Sequence, residues 1–396
     1  MHQREVGENL IKKCYAWVEI DLRNLSHNLH LVRSHLSSPN TYIMAVVKAN
    51  AYGHGAVEVS RKAIESGAHC LGVAMVSEGV KLRKAGINAP IYILGEVPSD
   101  LLIDALENNL ILSVNSYESA CEISSKSLNM GRKAIVHINV DTGMNRIGIN
   151  FKEAVSQIAR ISSLPGVKVE GLFTHFSCAS SRSYSYTFLQ WNRFKEIIDQ
   201  VRKMGLNISL FHCANSAAFL RYKEMHLDMV RIGVAMYGLN PFDNEGGNWL
   251  EPDVRKVVSD LKPVLSLKAR VSFIKRIEKG EQISYCGTFK TKRKSIIATL
   301  PIGYADGYPR ILSNRSKVLI GGGFAPVVGN ITMDQLMIDV TDVPYSKDVK
   351  VGSEAILIGS LDGLKITSEE LARLAGTINY EIVCMLKERL PRVYIS

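Results

Sequence analysis

Lys48 is the residue of this sequence best placed to do chemistry. It follows the apolar run TYIMAVV and opens the segment KANAYGHG. A lysine ending a buried strand is costly in its charged form. Its stem must either carry the amine to the rim, or the amine is used in its neutral form as a base or nucleophile. The company of Lys48 favours use. Other short apolar runs lead into Arg146 in NVDTGMNRIG, His175 in GLFTHFS, His212 and Ser216 in FHCANSAA, and Arg231 in MVRIGVAMYG. The small-residue turns NSAAF and RIGVAMYG suit backbone amides gathered around a phosphate. Taken singly, several of these residues read more plainly. His175 suits a satisfied rim histidine, Ser216 a helix cap, and His137 and His212, on strand runs, are read as structural.

Something must carry these groups to one place. Between residues 41 and 240, eight apolar runs (TYIMAVV, HCLGVAM, PIYILG, LILSV, AIVHINV, VEGLFTH, SLFHCA and MVRIGV) alternate with amphipathic stretches such as GAVEVSRKAIESG. Continuous apolar strands separated by helices indicate parallel pairing buried on both faces. Eight such units can close into a (β/α)8 TIM-type barrel, whose strand C-termini collect catalytic groups; a doubly wound open sheet has the same periodicity. After Pro241 the pattern changes. FDNEGGNWLEPD reads as a linker, and the remainder is rich in short β runs, with Thr367-x-x-Glu370 as a capping box before one helix. The expected organisation is a barrel over 1–245 and a mainly antiparallel β domain over 246–396. Residues 12–22, with strand character in AWVEIDL, are open to joining the β domain, and Asp21 is placed to cap a helix from Leu22 to His35. Gly321-Gly322-Gly323 is read as a turn, since no helix or phosphate-loop lysine follows it.

Composition excludes other classes. The chain has 396 residues, 46% hydrophobic and 22% charged, as in globular proteins. No apolar run is long enough for a membrane helix. The opening MHQREVGENLIKKC lacks an apolar export core, so a cytoplasmic location is expected. Seven cysteines lie far apart without a C-x-x-C pair, which argues against a metal site or a disulfide framework. The net charge of +10 is scattered, and no nucleic-acid motif accompanies it.

Taken in order, AVVKANAYGHG, DTGMNRIG, THF, HCANSAA, MVRIGVAMYG, SYCGTF, LPIGYADGY, TMDQ and INYE resemble the motif series of the alanine racemase family, from about residue 45 to 384. The resemblance implies a (β/α)8 barrel with a C-terminal β domain, and racemisation of alanine with pyridoxal 5'-phosphate. Lys48 would hold the cofactor and act as one acid/base. Tyr52, Ser216, Tyr380 and the amides of Gly233 and Val234 would hold the phosphate. Arg231 would face the pyridine nitrogen, with His175 bonded to it, and Arg146 would reach the cofactor hydroxyl and the substrate carboxylate together with the Met333 amide. Tyr285 would cross a homodimer interface as the second acid/base, with Tyr304 and Asp334 on the same partner-derived wall. The implied role is D-alanine supply for peptidoglycan. By themselves Tyr285 and Tyr304 read as ordinary strand aromatics.

Three positions depart from the family's pattern. Asn139 stands where many members have a carbamylated lysine, so Arg146 must be held otherwise, for example by an anion bridging it to Asn139. Ser177-Cys178-Ala179-Ser180 stands where an aspartate is usual, and Asn330 where arginine is usual, which suggests that an entrance ion pair has been replaced. These changes keep a broad-specificity or serine-type racemase as the alternative. A pyridoxal-phosphate carrier would lack the β domain, and a related decarboxylase would place a cysteine or acidic donor where Tyr285 stands.

Overall fold

The computed structural model describes residues 14–242 and 249–396. Most of the opening segment and much of the linker lie outside the described residues. Strand β1 (Ala16–Asp21) leads directly into a helix over Leu22–His35. The Asp21 carboxylate accepts from the amides of Arg23 (2.9 Å) and Asn24 (3.3 Å), satisfying donors that the first helical turn leaves free.

The apolar runs form the strands β2 (Tyr42–Val46), β3 (Cys70–Val73), β4 (Ile91–Ile93), β5 (Leu112–Val114), β6 (Ala134–Asp141), β7 (Ile149–Asn150), β8 (Val167–Phe173), β9 (Leu210–His212) and β10 (Met229–Ile232). All pair in parallel, in the orders β10-β2-β3-β4 and β5-β6-β8-β9, with β7 on the edge of β6. Two seams close the ring. Ile93 N–H donates to Ile111 O (2.9 Å), and Arg231 N–H to Ala214 O (3.0 Å). Residues of β3, β4, β5 and β10 are buried throughout, which is why these runs show no polar alternation. The closed barrel replaces the open-sheet alternative. β7 was not legible from periodicity because it is only two residues long. It folds the DTGMNRIG loop back on β6, and Asp141 Oδ1 accepts from the amides of Gly143, Met144 and Asn145 within that loop.

In the C-terminal half, a seven-stranded sheet runs in the order Gly323–Pro326, Lys317–Ile320, Glu354–Leu361, Leu265–Arg270, β1 and Arg392–Ile395, with Leu364–Ile366 beside Glu354–Leu361. β1 thus pairs antiparallel with Leu265–Arg270 and parallel with Arg392–Ile395. A helix over Pro252–Asp260 occupies the end of the stretch read as linker, with Pro252 at its first position. Gly321 and Gly322, with φ of 56° and 75°, make the two-residue turn between paired strands that need positive φ there. Thr367 Oγ1 accepts from Glu370 N–H (3.1 Å) at the start of Ser368–Ala375.

No helix of the described residues is long and apolar enough to cross a membrane. Among them, no group of three His, Cys, Asp or Glu side chains is placed to hold a metal ion.

Candidate active site

Lys48 follows β2 by two residues and begins a left-handed turn. Ala49, Asn50, Ala51 and Tyr52 all have φ between 52° and 54°. For residues with a Cβ this conformation costs roughly 1–2 kcal/mol each, so the turn must be held by its surroundings. The holding groups are visible. Glu78 Oε1 accepts from Ala49 N–H (2.6 Å), and Asn50 Oδ1 accepts from Ala56 N–H (2.9 Å). The turn ends at Gly53 (φ 81°), where a Cβ would stand 2.3 Å from the carbonyl oxygen of Val383. Val383 belongs to the helix Asn379–Cys384, which carries Tyr380. Gly53→Ala should therefore force apart the segments bearing Tyr52 and Tyr380 and destabilise the protein by about 3 kcal/mol, through overpacking and a disfavoured φ. Thermal denaturation of the variant checks this.

Lys48 opens into a cavity of about 460 Å³ at the C-terminal ends of the barrel strands. Its walls include Tyr52, Arg146, His175, Ser216, Arg231 and Tyr380, with Gly233 and Val234 from the turn after β10. Burial, and then the Arg146 charge, hold the Lys48 amine below its ordinary pKa. The neutral form is thus favoured beyond that of a surface lysine. In the cofactor-free protein, fluorodinitrobenzene at mildly alkaline pH should label Lys48 ahead of exposed lysines, as read by peptide mass mapping.

Arg231 is the most constrained cation of the site, at 4% exposure. Its Nη1 donates to His212 Nδ1 (2.8 Å), and its Nη2 is shared among Thr174 O (2.8 Å), Cys213 O (3.0 Å) and His175 Nδ1 (3.1 Å). Burial lowers its pKa to about 10, with the Cys213 thiol opposing and Arg146 adding to the fall. His175 is held well below the usual imidazole pKa by burial and then by Arg231, so it accepts as a neutral ring. The structure corrects one reading here. His212 is no bystander on its strand but a direct partner of Arg231.

Two further expectations change at the turn after β10, where the resemblance places the phosphate. Ser216 does not cap its helix: Asn215 does, accepting from Ala218 N–H (3.0 Å). Ser216 Oγ instead accepts from the amides of Gly233 (3.0 Å) and Ala235 (3.4 Å), so the Gly233 amide is already engaged by the protein. No described residue accepts from the Val234 amide. The Tyr52 hydroxyl lies against Gly233, 2.9 Å from where a Cβ would be, so any side chain there would have to displace it.

Asn139 is buried and gives its amide hydrogens to Asn115 Oδ1 (2.8 Å) and Ile147 O (3.2 Å). In this way it braces the Arg146 loop with both amide hydrogens. Asn330 likewise has a local task. Its Nδ2 donates to Tyr285 O (2.8 Å), and its own carbonyl accepts from Ser284 Oγ (2.6 Å). Tyr285 sits between Ser284 and Cys286, both at positive φ, in a turn that needs such bracing. Ser180 and Ser177 do line the cavity. Tyr285, Tyr304, Met333 and Asp334 do not. They lie exposed on the C-terminal half, Tyr285 at 71%, and Asp334 is paired with Arg389 at 2.9 Å.

The cavity suits pyridoxal phosphate by its own chemistry. It offers a neutral-leaning amine, a hydroxyl-lined turn with glycine at its closest approach, and a buried guanidinium whose Nε–H has no partner among the described residues. A closed (β/α)8 barrel joined to a C-terminal β domain, with this lysine, hydroxyl-lined turn and guanidinium at one strand-end cavity, has the site of a pyridoxal-phosphate enzyme acting on amino acids.

The chain belongs to the alanine racemase family. The family profiles "Alanine racemase, N-terminal domain" and "Alanine racemase, C-terminal domain" match residues 20–241 and 264–394. The chain is 46% identical to an alanine racemase of Halothermothrix orenii over 96% of both chains. Among solved structures, it is similar to the alanine racemase of Clostridium difficile 630 (TM-score 0.88, 39% identity, 96% of each chain). It is also similar to that of Bartonella henselae, which carries covalently bound pyridoxal phosphate (TM-score 0.84, 30% identity, 96% of this chain and 100% of that one).

Proposed function

We propose that this chain interconverts L- and D-alanine with pyridoxal 5'-phosphate, as a cytoplasmic homodimer with shared active sites that supplies D-alanine for peptidoglycan. The observation that carries this reading is the amine of Lys48, buried beside Arg146 and opening into one cavity with Arg231, Tyr52 and Tyr380. When bound, the cofactor supplies the electron sink that makes the substrate's α-proton removable.

The chain's own residues do the rest. Lys48 anchors the cofactor and moves a proton at the α-carbon from one side. The Arg231 guanidinium cannot readily give up a proton, so facing the ring nitrogen it would leave that nitrogen unprotonated and limit the sink. Tyr52, Ser216, Tyr380 and the turn at Gly233 and Val234 surround the phosphate. Arg146 and the Met333 amide bind the substrate carboxylate. Racemisation needs a second acid/base on the opposite side, and within one chain the cavity has none facing Lys48 that the resemblance assigns. Tyr285 of the partner subunit fills that place, with Tyr304 and Asp334 of the partner subunit beside it. The exposure of all three in a single chain supports this arrangement.

The test incubates the purified, cofactor-loaded protein separately with L-alanine, L-serine, L-lysine and L-arginine and resolves enantiomers by chiral chromatography. Fast D-alanine formation and little else supports the reading. Comparable rates on several substrates make it a broad-specificity racemase, and no racemisation overturns it. Because Asn330 braces the Tyr285 turn, Asn330→Ala should lower kcat by roughly tenfold or more through misplacement of the acid/base, with little change in Tm. Steady-state kinetics beside a thermal melt checks this.

A further inference from the structure

The buried Arg231 charge has no carboxylate in contact with it among the described residues; the way to one leads through two histidines. Arg231 Nη1 donates to His212 Nδ1 (2.8 Å), His212 Nε2 meets His137 Nδ1 (2.8 Å), and His137 Nε2 meets Glu170 Oε2 (3.4 Å). Both imidazoles are 1% exposed, and the Glu170 side chain is 22% exposed. The four residues come from β10, β9, β6 and β8, so the chain crosses the interior of the barrel, with Glu170 lying before the C-terminal end of its strand.

The direction of every proton follows from one fact. A guanidinium has donors only. His212 Nδ1 must therefore accept, which leaves its hydrogen on Nε2. That hydrogen points at His137 Nδ1, which must accept in turn, so the His137 hydrogen sits on Nε2 and points at Glu170. Both rings are neutral Nε2–H tautomers, and every bond in the chain is polarised toward the carboxylate. Burial, above all, pushes both rings below the ordinary imidazole pKa, consistent with neutrality, and the hydrogen bond from His137 holds the Glu170 carboxyl below its ordinary value. The other groups facing Glu170 are Tyr92 on β4, whose hydroxyl lies 3.4 Å from Oε2, Cys70 on β3 and Lys168 on its own strand. Burial pushes the Tyr92 hydroxyl and the Cys70 thiol up, so neither competes as an anion, and the Lys168 charge adds to holding the Glu170 carboxyl down.

We propose that Glu170 is a positioning residue for Arg231, acting from the far end of the barrel through His137 and His212 to anchor the guanidinium's charge and orientation where it would face the cofactor's ring nitrogen. The proposal rests on the reading above in which Arg231 faces that ring. Without Glu170, the last N–H loses its anionic acceptor, the chain loses its polarisation, and Arg231 loses the counter-charge that this chain routes to it.

The test has two arms, both on the full-length chain. In the first, histidine-selective ¹⁵N NMR of the cofactor-free protein should show His137 and His212 as neutral Nε2–H rings. In Glu170→Gln the His212 Nε2–H proton should move upfield although His212 does not touch residue 170. A role confined to local packing would shift His137 alone. In the second arm, kcat of cofactor-loaded Glu170→Gln should fall about tenfold with KM nearly unchanged, a size usual for groups that orient a directly acting residue. His137→Gln should cost a similar factor, and the double variant little more than either single one. A His137 hydrogen found on Nδ1, an unmoved His212 proton, or losses that multiply would overturn the relay. Should His137→Gln fail to fold, the spectrum of Glu170→Gln decides alone. A wild-type protein with no racemase activity would overturn the functional reading, while the spectra would still decide the relay.

Discussion

Lys48→Ala should reduce alanine racemisation by about 10⁴-fold or more, since it removes both the covalent anchor and one of two acid/base groups, and general acid–base catalysis alone contributes up to about that factor. The loss should come without loss of fold. Lys48 lies in a turn held by backbone and Glu78 contacts that do not involve its side chain, and its buried amine is held below its ordinary pKa, so it is no source of stability. The expected pattern is a melting temperature close to that of the wild type, cofactor that is no longer covalently attached, and no D-alanine by chiral chromatography. Added methylamine should restore a small part of the rate by replacing the missing amine. A variant that racemises at near the wild-type rate would remove Lys48 from the mechanism.

The second large effect is expected only when two damaged chains are mixed. Lys48→Ala and Tyr285→Phe should each be nearly inactive alone. If Tyr285 acts across a dimer interface, a mixed dimer has one site with both lesions and one with neither. Random reassociation of equal amounts should then recover about a quarter of the wild-type activity, because half the dimers are mixed and each has one working site of two. If Tyr285 served the cavity of its own chain, every site would keep one lesion and mixing would recover no activity. The placement of Tyr285, 71% exposed and absent from the cavity wall, makes the first outcome the expected one. Gel filtration of the mixture under assay conditions shows whether exchange has occurred.

Much of the architecture was legible in the residues because the physics that forms it is local. Eight doubly buried strands must be nearly pure apolar runs, and all eight appear as such from TYIMAVV to MVRIGV. Asp21 and Thr367 act as caps through contacts within three residues, so their types and spacing announce them. The lysine after β2 and the order of motifs behind it point to the family before any coordinate is known.

The site is different, since its decisive contacts join positions far apart in the chain. Asn139 alone looks like an absent charge, and only folding shows its amide spent on Asn115 and Ile147. Asn330 suggests a lost ion pair, yet the structure turns it into a brace for Tyr285, 45 residues away. His137 and His212 carry no periodic signature that separates a filler from a link. They become a directed chain to Arg231 only because parallel strands of a closed barrel set β6, β8, β9 and β10 around one interior. The sequence by itself determined which elements form and which lysine is placed to react, because burial pattern and capping are properties of neighbouring residues. The tertiary structure alone decided which donors are still free for a ligand, because a hydrogen bond is allotted by direction and distance between segments that the sequence holds far apart.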